Sequence, residues 1–362
     1  MKHKCYAAIL LGVWGCLTLL AWFGPQKDVS DSERRPLAQM PALSAQAILS
    51  GDFAEDFESF TLDQFPLRDP FRQAKALFHY YVLGQKDNNG IYLHNGYAAQ
   101  QVYPLSESSL NHAIGRFQAV YDAYLTDSSV FMAVIPDKNY YLAAPAGQPS
   151  LDYEALYAQV RHQMPWATHI DLTGVLSLDS YYRTDTHWRQ EALPEAAEVI
   201  TRELGVSSPG KADDTETTLE RPFYGVYYGQ AALPMKPDTI RLLESETTRN
   251  ATVYDHETGK TGAVYDESKL SSKDLYDVYL SGARALLTIE NPAGDPGREL
   301  LLFRDSFGSS LAPLLLSDYS KVTLIDLRYI RWDLLNQFVD FHGQDALFLY
   351  STLVLNESSA IK

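Results

Sequence analysis

The chain opens on an apolar run from Cys5 to Phe23, preceded by Lys2, His3 and Lys4 and followed by the polar Gln26, Lys27, Asp28 and Ser30. About 20 such residues cross the hydrocarbon core of a bilayer. The run ends Ala21-Trp22-Phe23, without the small-residue pattern a signal peptidase needs. Residues 1–25 therefore read as an uncleaved signal anchor rather than a removable leader. Basic residues before the span and an acidic body after it place the body outside the cytoplasm. Residues 26–50, mostly polar and carrying Pro36 and Pro41, read as a juxtamembrane linker.

From Gly51 onward the pattern is that of one α/β domain, residues 51–362. Phe53, Phe57, Phe60, Phe65, Phe71, Phe78, Tyr80 and Tyr81, punctuated by Pro66 and Pro70, predict short helices packed on a larger body. Asn88-Asn89-Gly90 predicts a turn before Ile91 to Leu93. Leu110, Ala113, Ile114, Phe117, Tyr121, Tyr124 and Leu125 repeat at helical spacing and predict an amphipathic helix. Val130 to Ile135, stopped by Pro136, predicts a strand buried on both faces. Ile170 to Leu172 predicts a shorter one, and Leu300 to Phe303, Val322 to Leu327 and Ala346 to Tyr350 predict three more. A second helix is predicted to run to Leu204, with Pro194 in its first turn and Gly205 closing it. Apolar strands alternating with helices predict a mostly parallel sheet flanked by helices.

Residues 206–285 break this rhythm and read as an insertion. Thr252 to Tyr254 and Ala263 to Tyr265, on either side of Gly259, predict a hairpin within it. Tyr224, Tyr227 and Tyr228 serve either as stacking surfaces for sugar rings or as packing of the insertion itself.

Composition narrows the chemistry. Apolar residues make up 46% of the 362 and charged residues 21%, which suits an ordinary globular core. The 46 acidic and 30 basic side chains leave a formal charge of −16, which argues against a nucleic-acid partner. It also disfavours a strongly anionic polymer unless the cleft is locally basic. Both cysteines, Cys5 and Cys16, lie in the N-terminal run, so the body has no disulfide, no Cys-based zinc site and no thiol nucleophile.

Two segments carry reactive groups at predicted strand ends or loops: Thr184-Asp185-Thr186-His187-Trp188 and Arg304-Asp305-Ser306-Phe307-Gly308. A serine at a strand-to-helix turn is lifted from the sheet edge, where backbone NH groups can hold an oxyanion. It needs an imidazole to take its proton and a carboxylate to orient that imidazole. Asp185 and His187 supply both from one loop. Against this stand a plain helix cap at Asp305 or Ser306, a loop wedged into the core by Trp188, and a metal pair at Asp185 and His187 that lacks a third ligand in zinc-like spacing.

At these residues the sequence resembles the bacterial DHHW proteins, which are similar to the SGNH-like alginate O-acetyltransferases. The resemblance rests on Asp179 to Trp188 and on Asp305-Ser306-Phe307 with Ser310, Leu311, Pro313 and Leu314. It extends to Glu33 to Ala38, Gly51 to Phe53, Asp63 to Asp69, Asn89 to Tyr92, Pro136 to Asn139, Phe223 to Gly225 and Asp326 to Tyr329. It implies an SGNH-hydrolase-like fold with Ser306 as nucleophile, His187 as base and then acid, and Asp185 as its orienting partner. The backbone NH of Ser306 would be the first oxyanion donor. Asn291 would be a second donor or an ordinary Asn-Pro-x-Gly turn. Lys138 and Arg328 would contact an anionic substrate or form surface salt bridges. Two departures stand out: residue 304 is Arg where the wider group carries Gly, and residue 186 is Thr where the family name implies His. The implied activity moves an acetyl group onto, or off, a cell-surface polysaccharide, with no cofactor. A multi-spanning membrane acyltransferase would supply the acetyl group. The rival readings are a noncatalytic glycan-binding or assembly protein on the same fold, and a metal hydrolase.

Overall fold

A computed structural model of the chain describes residues 2–30, 32–206, 215–316 and 318–362. Part of the predicted insertion, residues 207–214, lies outside the described residues. The chain forms two compact units, Met1–Tyr92 with Val226–Met235, and Leu93–Gly225 with Lys236–Lys362.

The first unit begins with helix α1 (Lys2–Phe23), whose stretch His3–Phe23 is long and apolar enough to cross a membrane and almost wholly unburied. Three short helices follow: α2 (Ala45–Ser50), α3 (Asp52–Asp63) and α4 (Arg68–Leu77), the last continuing as a π-helical turn over Phe78–Val82. Ser44 caps α2 by accepting from the Ala47 amide. The segment after α1 is a clamp rather than a loose tether. Arg35 holds Asp63 in a two-pronged ion pair at 2.8 and 2.6 Å. Glu33 pairs with Arg68 and, at 3.1 Å, with Arg72. The predicted short helices are therefore present, but the aromatics on them do not all pack inward: Phe71, Phe78 and Tyr81 are exposed. Tyr227, by contrast, is buried in this unit and cannot offer a stacking face.

The second unit is built on an eight-stranded sheet. Its strands are β1 (Val130–Ile135), β2 (Thr168–Ile170), β3 (Thr252–Asp255), β4 (Lys260–Gly262), β5 (Leu286–Glu290), β6 (Asp295–Arg304), β7 (Tyr319–Ile325) and β8 (Asp345–Ser351). They lie in the order β4-β3-β5-β7-β6-β8-β1-β2. The five strands from β7 to β2 are parallel, while β5, β3 and β4 extend the sheet antiparallel. Alternate residues of the central strands serve different cores. Ala133, Leu302, Leu324 and Leu349 face helix α8 (Pro194–Glu203), whereas Met132, Phe303, Ile325 and Phe348 face α5 (Glu107–Val120) and α7 (Tyr153–Gln163). Burial on both faces explains why these strands read as unbroken apolar runs.

Two expectations shift. The hairpin turns at Gly259 as predicted, but its second strand is Lys260–Gly262 rather than 263–265, and β3 joins the main sheet through β5. A separate pair, Thr215–Thr218 with Arg241–Glu244, also lies within residues 206–285.

Because β1, β6, β7 and β8 run parallel, their carboxyl ends collect Asp137 and Lys138, Asp305 and Ser306, Asp326 and Arg328, and Thr352 along one edge. Open α/β sheets bind ligands at such an edge.

Phe117 is fully buried, its ring 4.7 Å from that of Tyr350 and 5.1 Å from that of Phe348. Phe117→Ala is expected to cost about 3–5 kcal/mol. It should appear as a lower urea midpoint by circular dichroism with an unchanged slope.

Candidate active site

Strand β6 delivers Ser306 to the carboxyl edge, and the residue before it sets the turn. The Asp305 carboxylate accepts the Phe307 amide at 3.0 Å and the Ser351 amide at 2.8 Å, pinning the turn to β8. Asp305 thus takes the cap-like role, leaving the Ser306 hydroxyl for another partner. Helix α9 (Gly308–Leu311) follows directly. The Ser306 amide makes no hydrogen bond among the described residues. It remains available to an oxyanion.

The loop 181–190 approaches this turn. It closes through the Tyr181–Trp188 bridge, with the Tyr182 amide donating to His187 O at 3.1 Å and the Arg189 amide to Ser180 O at 2.8 Å. Asp238 accepts the amides of Arg183 and Thr184 at 2.9 and 2.7 Å and the Thr184 hydroxyl at 2.6 Å. The Gly225 amide donates to that same hydroxyl at 2.9 Å. A Cβ at Gly225 would stand 2.2 Å from Asp185 Cβ, so only glycine fits there. Trp188 reaches across to donate to Phe307 O at 3.0 Å and Ser310 Oγ at 2.9 Å.

So held, the three residues meet. Ser306 Oγ donates to His187 Nε2 at 2.8 Å, and His187 Nδ1 donates to Asp185 Oδ1 at 2.6 Å. The Asp185 side chain is 1% exposed and that of His187 12%. The same Asp185 oxygen accepts the His187 amide at 3.0 Å, which fixes the carboxylate from both sides. This is the geometry of a nucleophile, a base and an orienting carboxylate. Among the described residues no third His, Cys, Asp or Glu joins Asp185 and His187 in a metal-binding cluster.

The imidazole is also bracketed by rings. Tyr276 stacks on it with centroids 4.0 Å apart and planes 9° from parallel, and Phe307 lies 5.0 Å away. The Tyr276 hydroxyl bonds Ser310 Oγ at 2.8 Å. Burial raises its pKa, so it stays a neutral phenol. Neither Tyr276 nor Asp238 was legible as a site residue, because each meets the loop only through the tertiary fold. The tyrosine-rich character of residues 206–285 was the one available hint.

Three other expected contacts are corrected. Asn291 is buried at the start of β6. Its side chain donates to Leu316 O at 2.8 Å and Tyr319 O at 3.1 Å and accepts the Ala293 amide. A strand of ten residues spans roughly 30 Å, so Asn291 sits at the opposite end of β6 from Ser306 and donates nothing there. It is the turn residue. Arg328 is at the right edge but grips the buried Asp326 with bonds of 2.9 and 2.6 Å. Lys138 is neither at the surface nor facing solvent. Its ammonium donates to Ala98 O and to Tyr182 O, beneath the loop that carries Asp185. Tyr224 is exposed and stands one residue before Gly225, beside that loop.

Asp137, which caps helix α6 (Lys138–Ala146), accepts the Asn139 amide at 2.7 Å, the Thr352 hydroxyl at 2.7 Å and the Tyr153 hydroxyl at 2.9 Å. The Pro136 to Asn139 segment is therefore a brace under the site. Burial pulls the Lys138 pKa from 10.5 down to about 7, against the opposing pull of Asp185, Asp238 and Asp137. A pKa depressed in the fold means the unfolded chain holds more protons between about pH 7 and 10.5, so this group adds stability as pH rises through that window. Lys138→Met removes the contribution. The stability difference between wild type and variant is expected to move in favour of the wild type from pH 7 to pH 10, read by thermal unfolding across that range.

Residues 177–325 match the family model described as "DHHW protein". Among curated proteins nothing matches the chain. Solved structures do. A DHHW family protein from Eubacterium siraeum is 20% identical with a TM-score of 0.62, covering 76% of this chain and 95% of that one. PatB1 of Bacillus cereus, whose structure was also determined with a sulfonyl adduct, is 16% identical with a TM-score of 0.56, covering 73% of this chain and 97% of that one. At these identities the likeness is one of fold. The O-acetyltransferase domain of Pseudomonas putida AlgJ is more distant, with a TM-score of 0.45 and 14% identity over 74% of this chain and 92% of that one. The segment holding both the Asp185–Trp188 loop and the Ser306 turn thus carries the DHHW family pattern, on an SGNH-like α/β fold.

Proposed function

We propose that the chain is a membrane-anchored, extracytoplasmic SGNH-like enzyme that moves an acetyl group onto, or off, a cell-surface polysaccharide through an acyl-enzyme on Ser306. The observation that carries this reading is the hydrogen-bonded line from Ser306 Oγ through His187 to Asp185, at 2.8 and 2.6 Å. The membrane part rests on α1, and the polysaccharide on the motif resemblance. A multi-spanning acyltransferase as acetyl source has the same basis.

In the proposed reaction His187 Nε2 takes the Ser306 proton as Oγ attacks the acetyl carbonyl. The Ser306 amide stabilises the resulting oxyanion. The imidazolium, held by Asp185, returns the proton to the leaving alcohol. An acceptor hydroxyl, from sugar or water, then gives its proton to His187, attacks the acetyl-serine and releases Ser306 with its hydroxyl restored. The noncatalytic alternative called for a Ser306 hydroxyl out of His187's reach, and a 2.8 Å contact does not favour it.

The test is intact-mass analysis of the full chain in detergent after exposure to p-nitrophenyl acetate, with a sulfonyl fluoride as second probe. An adduct present in wild type and absent in Ser306→Ala and His187→Ala is expected. A folded wild type that acquires no adduct and turns over no ester would sink the proposal. Asp185→Asn, which keeps the shape but loses the acceptor for Nδ1–H, should retain roughly 10⁻⁴ of wild-type turnover.

Tyr276 separates stacking from hydrogen bonding. Tyr276→Ala removes the ring that fixes the imidazole plane and should lower ester turnover about 10²-fold. Tyr276→Phe keeps the ring and should stay within a few-fold of wild type. Equal losses in both would show that the hydroxyl, not the stack, is what matters.

A further inference from the structure

Helix α4 and the π turn that continues it have their apolar face turned the wrong way for a soluble unit. Leu67, Phe71, Phe78 and Val82 follow one another at spacings of four, seven and four, which sets them in one stripe along the helix. Their exposures are 68%, 51%, 51% and 67%, and Tyr81 beside them is 62% exposed. The opposite face is the buried one, where Ala76 is fully covered. The stripe cannot roll inward, because the other side of the helix is tied down. Arg68 pairs with Glu33, while Arg72 pairs with Glu33 at 3.1 Å and donates to Gly229 O at 2.9 Å. Several large exposed apolar side chains on one helix, with Lys75 between Phe71 and Phe78, mark a contact with something nonpolar.

What that something is follows from the neighbouring helix. Helix α1 has 22 residues, about 33 Å at 1.5 Å per residue, which matches the hydrocarbon core of a bilayer. Its last turn is not free. Ala21 is buried, and the Trp22 ring lies 5.4 Å from that of Phe57 on α3. Four residues beyond the end of α1, the Lys27 amide donates to Gln64 Oε1 at 2.9 Å, and Gln64 returns a bond to Lys27 O at 2.9 Å. The point where the chain leaves the span is thus fastened to both the middle and the end of α3. Helix α4 starts four residues later, its Phe71 ring 5.6 Å from that of Phe65.

We infer that α4 and its π turn lie in the plane of the outer membrane–water interface, with the Leu67–Phe71–Phe78–Val82 stripe seated in the lipid. This rests on reading α1 as a span. Lipid, rather than a protein partner, is the occupant because the chain's own anchor brings it to this depth whether or not any partner is bound. Interfacial helices carry an apolar face flanked by basic side chains, and here the exposed Lys75 flanks the stripe between Phe71 and Phe78. Trp22, at the end of the span, is of the residue type enriched at the membrane–water interface and fits the same placement.

The test uses the full chain reconstituted in vesicles of phosphatidylcholine and phosphatidylglycerol, in a background with Cys5→Ser and Cys16→Ser. Single variants Phe78→Cys and Val82→Cys report on the stripe, Gln73→Cys on the exposed polar side of α4, and Leu11→Cys on the span, each labelled with an environment-sensitive dye. Dyes at 78 and 82 are expected to be quenched by doxyl-labelled lipid, with an iodide quenching constant roughly a third or less of that at 73. Dyes at 78 and 82 open to iodide and untouched by doxyl lipid, with the dye at 11 inside the bilayer, would overturn the inference while leaving the anchor intact. A dye at 11 outside the bilayer would remove the anchor reading and the inference together. Shielding from iodide without doxyl quenching would assign the stripe to a protein neighbour instead, and so also overturn it.

Discussion

His187 can face Ser306 only if a loop with little regular structure keeps its polar groups bonded away from water. Buried backbone NH and C=O groups without partners are costly, and loop 181–190 has no sheet ladder beyond one bridge to satisfy them. The structure meets the constraint with side chains from distant segments. Asp238 takes three donors, Lys138 gives to the Tyr182 carbonyl, and the Gly225 amide takes the remaining side of Thr184. The second anchor is Ser310, one turn beyond the proposed nucleophile, which bonds both Trp188 and Tyr276. Loop 181–190, the residues Gly225, Asp238 and Tyr276, and the serine turn are therefore joined in one polar network.

That dependence explains what was legible in the sequence. Val130–Ile135 has the predicted bounds because a strand buried on both faces is apolar throughout, and the loss of apolarity marks its ends. The helix predicted over residues 110–125 is present, with its last residues, Tyr121–Leu125, widened to a π turn that periodicity cannot distinguish. Strand β5, only five residues long, gave no separate signal. The loop and serine turn were legible because each motif is local. Their supports were not: Asp238 lies 54 residues from Thr184, and nothing around it marks a partner. Likewise the aromatics from Phe53 to Tyr81 predict short helices, but a run of aromatics does not say what covers them.

The departure at residue 304 has a structural consequence of its own. Arg304 is 1% exposed, its Nη1 3.8 Å from Asp326 Oδ2 and 3.3 Å from Asp305 O. Its Nε and Nη2 have no hydrogen-bond partner among the described residues. Arg328 completes the set by gripping Asp326, so two arginines and the carboxylates of Asp305 and Asp326 lie together beneath the serine turn. Gly308 makes room for the intruder, since a Cβ there would stand 2.7 Å from Arg304 Cβ. In this chain the turn is held by charge as well as by Asp305's bonds to the Phe307 and Ser351 amides.

The same enclosure bears on the choice between transfer and hydrolysis. Tyr276 covers one face of the imidazole, Phe307 flanks it, and Asp185 occupies Nδ1, so Nε2, bonded to Ser306 Oγ, is the ring nitrogen left to exchange protons. In the proposed reaction, an acceptor for the acetyl-serine would bring its hydroxyl to that nitrogen and give up its proton there. Water and a sugar hydroxyl would use the same atom and the same geometry, so the proton relay cannot discriminate between them. Discrimination then has to come from how long the space beside that nitrogen stays occupied by a bound sugar in place of water. In the proposed reaction the residues that set it would belong to the surface around Ser306 rather than to Ser306, His187 and Asp185 themselves.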